Sequence, residues 1–148
     1  MDSARKVAII TGASRGIGAG LVAAYRKLGY AVVATSRSID SSDPEVLAVP
    51  GDLSRPGTGA DVVEHALNRF GRIDTLVNNA GAFIAKPFTD YTDEDYDAVT
   101  GVNLLGFFDI SRSAIAAMLA HGGTGTWSTS PCPWSTTPTP RCPPRSPR

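Results

Sequence analysis

Thr11-Gly12-Ala13-Ser14-Arg15-Gly16-Ile17-Gly18 lies at the junction of two patterns. Upstream, Lys6-Val7-Ala8-Ile9-Ile10 is short, apolar and β-branched, which predicts a buried parallel strand. Downstream, Ile17, Leu21, Ala24 and Leu28 recur at helical spacing. A strand that breaks into glycines and then a helix is the setting of a phosphate-binding turn. Gly12, Gly16 and Gly18 lack a Cβ, so the backbone can turn sharply and a pyrophosphate can come close. The free N–H groups and the positive dipole end of the helix then face the phosphates. Taken alone, the same residues also fit an ordinary glycine-rich βα turn.

The chain has 148 residues, a single-domain length. Its 14 basic and 14 acidic residues cancel, which argues against nucleic acid or an anionic membrane as partner. No apolar run approaches membrane-span length, and no residue set is read as a metal site. Met1-Asp2-Ser3-Ala4-Arg5-Lys6 leads directly into the strand with no cleavage-site pattern, so the expected location is the cytoplasm. Composition changes sharply near Gly123. Residues 124–148 hold seven of the 11 prolines, both cysteines and both tryptophans, with no acid and no Leu, Ile, Val, Phe or Ala. Arg141, Arg145 and Arg148 make this tail positive, leaving the body equally negative. The expected division is a folded domain over 1–123 and a disordered tail over 124–148, which has too little to bury to offset its ordering entropy. Cys132 and Cys142 read as reduced and incidental in that setting.

Tyr30-Ala31-Val32-Val33-Ala34-Thr35 predicts a second strand, followed by Ser36-Arg37-Ser38. In a dinucleotide fold this position meets the adenosine ribose. An acid there would suit the 2′-hydroxyl of NAD and repel a 2′-phosphate. Arg37 offers a cationic fork suited to phosphate, and Arg15 in the glycine turn can close on the same group. NADP(H) is therefore read over NAD(H), with a solvated surface charge as the alternative for Arg37. Val46-Leu47-Ala48-Val49 predicts a third strand, and Gly51-Asp52-Leu53 follows it. Asp52 suits either an acceptor for the adenine amino group or a turn aspartate. Residues 60–70 form an amphipathic helical pattern stopped by Gly71, with His65 on its polar face. Ile73-Asp74-Thr75-Leu76-Val77 predicts a fourth strand ending in Asn78-Asn79-Ala80-Gly81. Its amides can tie down neighbouring backbone, while Ala80 and Gly81 leave room for a ligand. Thr92 with Asp95 resembles a capping box opening a helix through Asn103, and a further helix is expected over about 107–119.

This alternation predicts an α/β fold, a Rossmann-type doubly wound parallel sheet in three layers, with strand order 3-2-1-4 as far as it goes. The Thr11–Gly18 turn, Arg37, Asp52 and the Asn78–Gly81 turn all fall at carboxyl ends of strands, where such sheets bind ligands.

Thr11-Gly12-x-x-x-Gly16-x-Gly18, Asp52-Leu53, Asn78-Asn79-Ala80-Gly81 and Val102-Asn103 stand in an order and spacing that resembles the short-chain dehydrogenase/reductase family over residues 5 to about 122. The resemblance implies a Rossmann fold and NAD(P)-linked oxidoreduction between an alcohol and a ketone. It implies cofactor contacts for Thr11, Gly12, Ser14, Arg15, Gly16, Ile17, Gly18, Arg37, Asp52, Leu53, Asn78, Ala80 and Gly81. It makes Asn103 similar to the family's active-site asparagine, which holds a water in a proton relay. It also implies a homo-oligomer joined through the helices spanning about 92–121. The family's remaining catalytic groups are a serine, a tyrosine and a lysine four residues beyond the tyrosine. Tyr25, Tyr30, Tyr91 and Tyr96 are followed at that spacing by Gly29, Ala34, Asp95 and Thr100. Lys6, Lys27 and Lys86 all precede Asn103. Ser128 and Ser130 stand near the expected serine in surroundings that do not read as a strand, so no role is carried onto them. The chain is thus expected to be C-terminally truncated relative to the family and catalytically incomplete, with the outer edge of the fourth strand open.

The tail suggests its own origin. Where the family has a strand resembling His-Val-Val-Asn-Ile, this chain has Thr126-Trp127-Ser128-Thr129-Ser130. Moving the codon boundary one base earlier turns ACN, TGG and TCN codons into triplets that permit His, Val, Val, Asn and Ile in that order. A change of reading frame near Gly125 is therefore expected. Sequencing across the junction tests it, and an alternative frame without a Tyr/Lys continuation would refute it.

Overall fold

The computed structural model describes residues 5–121 and 126–129. Among the described residues, five strands make one sheet: β1 (Val7–Thr11), β2 (Ala31–Ser36), β3 (Val46–Pro50), β4 (Thr75–Asn78) and β5 (Thr126–Thr129). Their spatial order is β3-β2-β1-β4-β5, and every pairing is parallel. The helices are α1 (Gly16–Lys27), α2 (Thr58–Phe70), α3 (Asp93–Thr100) and α4 (Phe107–Ala120). A short 3₁₀ turn covers Phe88–Asp90, and a π-helical segment, Gly101–Gly106, joins α3 to α4.

β1 and β2 are apolar throughout because the sheet is covered on both faces. Ile10, Val32, Ala34 and Val77 point to one face, where Leu21, Val22 and Tyr25 of α1 cover them. Val7, Ile9, Val33 and Leu76 point to the other, against Val62, Val63 and Ala66 of α2 and Ile110, Ala114 and Met118 of α4. This is the expected three-layer Rossmann-type sheet, and its order over β1–β4 is the expected one.

The structure departs from the sequence expectations at three places. The composition of residues 124–148 predicts no strand, yet Thr126–Thr129 forms β5, pairing Thr75 with Thr126 and Asn78 with Thr129. The Thr75 and Thr126 hydroxyls lie 3.2 Å apart across this pairing. Strand pairing needs only backbone N–H and C=O groups, so a segment poor in aliphatic residues still adds to the sheet. The edge of β4 is therefore covered, and Ser128 sits in a strand. Residues 130–148, with the rest of the expected tail, lie outside the described residues.

The helix opened by Thr92 also ends earlier than its pattern suggests. The capping box is present: the Asp95 N–H donates to Thr92 Oγ1 at 3.3 Å, and the Thr92 N–H donates to Asp95 Oδ2 at 2.8 Å. However, α3 stops at Thr100, and Asn103 falls in the π-helical segment. Single π turns commonly mark functional sites in helices. Finally, α3, the π segment and α4 run together as Asp93–Ala120, 28 residues long and apolar enough by composition to cross a membrane, a run the sequence pattern had split. Within it Asp109 is buried and accepts from Gly57 N–H at 3.1 Å, just before α2, and from Gly59 N–H at 2.9 Å, in its first turn, which places the run in the packed helical layer.

Candidate functional site

The strands of the parallel sheet end on one side in a cleft of about 700 Å³. Gly12 forms its floor at the end of β1, with φ at +64°, a conformation glycine adopts without strain. A Cβ there would meet Ala80 Cα at 2.9 Å, so the turns after β1 and β4 touch backbone to backbone. Gly18, in the first turn of α1, approaches still more closely: a Cβ would sit 2.0 Å from Gly12 O. The start of α1 is thereby held against the end of β1. That start carries no acidic residue in its first turn and no side-chain cap. Its positive end is left for a ligand.

The two turns are tied by side chains. Thr11 Oγ1 accepts from Asn79 N–H at 3.0 Å and Ala80 N–H at 2.9 Å. In return, Asn79 Nδ2 donates to Thr11 O at 3.1 Å and Gly12 O at 3.2 Å. Both strand ends therefore have their otherwise orphaned polar groups paired, which fixes the cleft's centre.

Ser14 and Arg15 line one side of the cleft, as do Ser36 at the end of β2 and Arg37 and Ser38 beyond it. Asp52 and Leu53 follow β3 on the same wall. Asp52 Oδ1 accepts from Ser54 N–H at 3.0 Å and Ser54 Oγ–H at 2.7 Å, a turn built by the aspartate itself. The Ser54 hydroxyl and N–H hold this carboxyl below the usual range, with further help from Arg55 and Arg37. It is thus an anion at neutral pH, with acceptor capacity beyond the turn.

On the β4 side, Ala80 and Gly81 line the cleft together with Asn79 and Ala82. Asn103 reaches the last of these from the π segment: its Oδ1 accepts from Ala82 N–H and its Nδ2 donates to Ala82 O, both at 2.8 Å. The π segment meets the opposite wall as well. A Cβ on Gly106 would lie 2.6 Å from Leu53 O, and one on Gly101 would lie 3.1 Å from Ser54 Cβ. One irregular turn of helix therefore touches the loop after β3 and grips the loop after β4.

Not every residue named from the sequence reaches the cleft wall. Thr11 and Asn78 are buried beneath it and act through the backbone and through neighbouring side chains. Gly16 and Gly18 shape the turn from behind, and Ile17 is 70% exposed on α1. His65, expected to be solvated, is exposed, with Nδ1 2.7 Å from Asp61 O. Four cleft residues had weak signals in the sequence. Asn79 was expected to tie down neighbouring backbone, as it does, but not to line the cleft, and Ser54 shows itself only as a hydroxyl two residues after an aspartate. Ser36 and Ser38 were visible only as neighbours of Arg37.

Comparison with known proteins agrees with this geometry. The family model described as short chain dehydrogenase matches residues 6–126. An uncharacterized oxidoreductase of Methylorubrum extorquens is 35% identical over 130 residues, covering 80% of this chain and 52% of that protein. L-xylulose reductase of Bos taurus is 37% identical over 120 residues, covering 80% and 49%. The solved 3-ketoacyl-(acyl-carrier-protein) reductase of Brucella melitensis, complexed with NADH, superposes with a TM-score of 0.77 at 32% identity, over 84% of this chain and 56% of that one. The chain thus spans about half the length of the curated relatives it matches. The glycine turn, the tie from Thr11 to Asn79 and the asparagine on the π segment all lie within the matched stretch, and the chain belongs to the short-chain dehydrogenase family.

Proposed function

We propose that this chain is the cofactor-holding part of an NADP(H)-dependent oxidoreductase that interconverts an alcohol and a ketone. The carrying observation is the meeting of the α1 glycine turn with Arg15 and Arg37 in one cleft. The cleft suits a dinucleotide on three counts. Gly12 and Gly18, where a Cβ would strike Ala80 or Gly12 itself, let the turn fold tightly on its own backbone, the start of α1 is uncapped, and two guanidiniums line the same cleft. When bound, the nicotinamide ring would supply or accept the hydride.

The chain's own residues would divide the remaining work. The first turn of α1 would hold the diphosphate, and Arg15 and Arg37 the 2′-phosphate. Asp52 would accept from the adenine amino group, with Leu53 against the ring. Asn103 would keep Ala82 in place and hold a relay water, as the family resemblance implies. The Brucella relative carries NADH, so the preference for NADP(H) rests on Arg15 and Arg37 alone. No tyrosine in this sequence has a lysine four residues on, which favours nucleotide binding without turnover as the second reading.

Titration of the whole chain with NADPH and NADH tests this. NADPH is expected to bind tighter by roughly 10- to 100-fold, the value of one or two charge-assisted hydrogen bonds. Arg37→Ala should remove most of that ratio while leaving NADH affinity unchanged. Binding of neither cofactor overturns the site, equal binding overturns the preference, and ketone-dependent NADPH oxidation overturns the chain's incompleteness.

A homo-oligomer through α3 and α4 belongs to the same proposal. Leu104, Phe108 and Leu119 repeat at helical spacing and are 57–73% exposed, an apolar stripe suited to a second copy. Sedimentation should show a dimer, and the double change Leu104→Asp with Phe108→Asp should give a monomer of similar thermal stability.

A further inference from the structure

β1 pairs with β4 only as far as Val77, which faces Ile10. From Asn78 onward the chain leaves that ladder and enters the Asn79–Ala82 turn. Side chains take over where the ladder stops: Thr11 holds Asn79 and Ala80, and Asn103 holds Ala82. Asn78 has a tie of its own, made to an element remote from the cleft wall. Its Nδ2 donates to Ser111 Oγ at 3.0 Å, and both residues are buried, at 9% and 7% exposure. Ser111 lies on α4, among the apolar side chains that pack under the sheet. A buried hydroxyl there is costly unless paired, and an amide deprived of its acceptor must turn to find another.

We infer that Ser111 is a positioning residue: its hydroxyl, through Asn78, sets the turn that forms the β4 wall of the cleft. That wall lies on the far side of Gly12 from Arg37 and Asp52, so it faces the nicotinamide half of a bound dinucleotide and not the adenosine half. Ser111 does not line the cleft. The inference rests on the nucleotide-binding reading above.

The test compares NADPH with adenosine 2′,5′-bisphosphate, which carries the adenosine half only, by calorimetry on the whole chain. Ser111→Ala should weaken NADPH about fivefold or more, the equivalent of one lost hydrogen bond, and leave the bisphosphate within about twofold. Ser111→Thr, which restores the hydroxyl, should recover NADPH affinity. A general loss of structure would lower both affinities together, so the ratio is the readout. Should Ser111→Ala not fold, Ser111→Cys makes the same comparison with a poor acceptor. Equal losses for the two ligands, or no loss, overturn the role of Ser111 while leaving the nucleotide site standing. Failure of the unaltered chain to bind either ligand overturns both.

Discussion

Gly18→Ala is expected to abolish measurable NADPH binding and to destabilise the fold by about 3 kcal/mol, the upper part of the range for overpacking a tight contact. Helix propensity alone predicts the reverse, since Ala is favoured over Gly in a helix by about 1 kcal/mol. Sterics decide the sign. The added Cβ would sit 2.0 Å from Gly12 O, 2.8 Å from Gly12 C and 2.7 Å from Asn79 Nδ2. The first two belong to backbone that cannot step aside, and the third to the amide that ties Thr11 and Gly12 to β4. Relief requires α1 to lift from the end of β1, which carries its positive end away from the phosphates. Gly20→Ala is the control. It lies on the same helix with nothing within 4 Å of the new Cβ, so it should bind NADPH normally and melt no lower than the unaltered chain. Thermal melts and NADPH titration of the two variants are the measurement. Indistinguishable behaviour would show that the contact between α1 and the turn does not organise the site.

The contrast between these two glycines also marks what the sequence could disclose. The strand, glycine turn and helix over residues 7–27 were legible because local pattern determines all three. The Asn78–Gly81 turn and Arg37 were legible because they follow predicted strands, so the topology alone carries them to one edge of the sheet. The π segment was not. Asn103 could be named by resemblance, but its turn depends on Gly101 and Gly106 pressing against Ser54 and Leu53, contacts between elements far apart in the chain. β5 was hidden for a different reason. Its side chains lack the aliphatic signal of a buried strand, and what holds it is the backbone ladder of β4. The reciprocal bonds between Thr11 and Asn79 were half visible, since both residues stand at strand ends in turn-forming motifs while their pairing needed the register of β1 on β4. Tertiary pairing, not propensity, carried the information in each of these cases.

Asp109 is the strongest example, and its removal is the second large effect expected. In sequence it is an acid in an apolar stretch, Phe107-Phe108-Asp109-Ile110, whose evident partner is Arg112 three residues on. In the fold it caps a different helix. α2 begins after Gly57, which has φ at +88° and offers no side chain to its own first turn. Asp109 supplies what Gly57 lacks, its Oδ2 accepting from Gly57 and Gly59 N–H at the positive end of α2. The approach is close because Gly59 has no Cβ, and one there would lie 2.5 Å from Ile110 N. Asp109→Ala strands the buried Gly59 N–H, takes the acceptor from the part-buried Gly57 N–H, and should cost about 3 kcal/mol, lowering Tm by about 10 °C. Asp109→Asn keeps an acceptor oxygen and loses only the charge against the helix dipole, so about 1 kcal/mol is expected. Arg112→Ala should cost less than about 0.5 kcal/mol, because the guanidinium stands 3.4 Å from Asp109 and is 67% exposed. Urea and thermal unfolding of the three variants give this order directly. If Asp109→Ala melts with Asp109→Asn, or if Arg112→Ala matches Asp109→Ala, the carboxylate is acting through the salt bridge and not as the cap of α2.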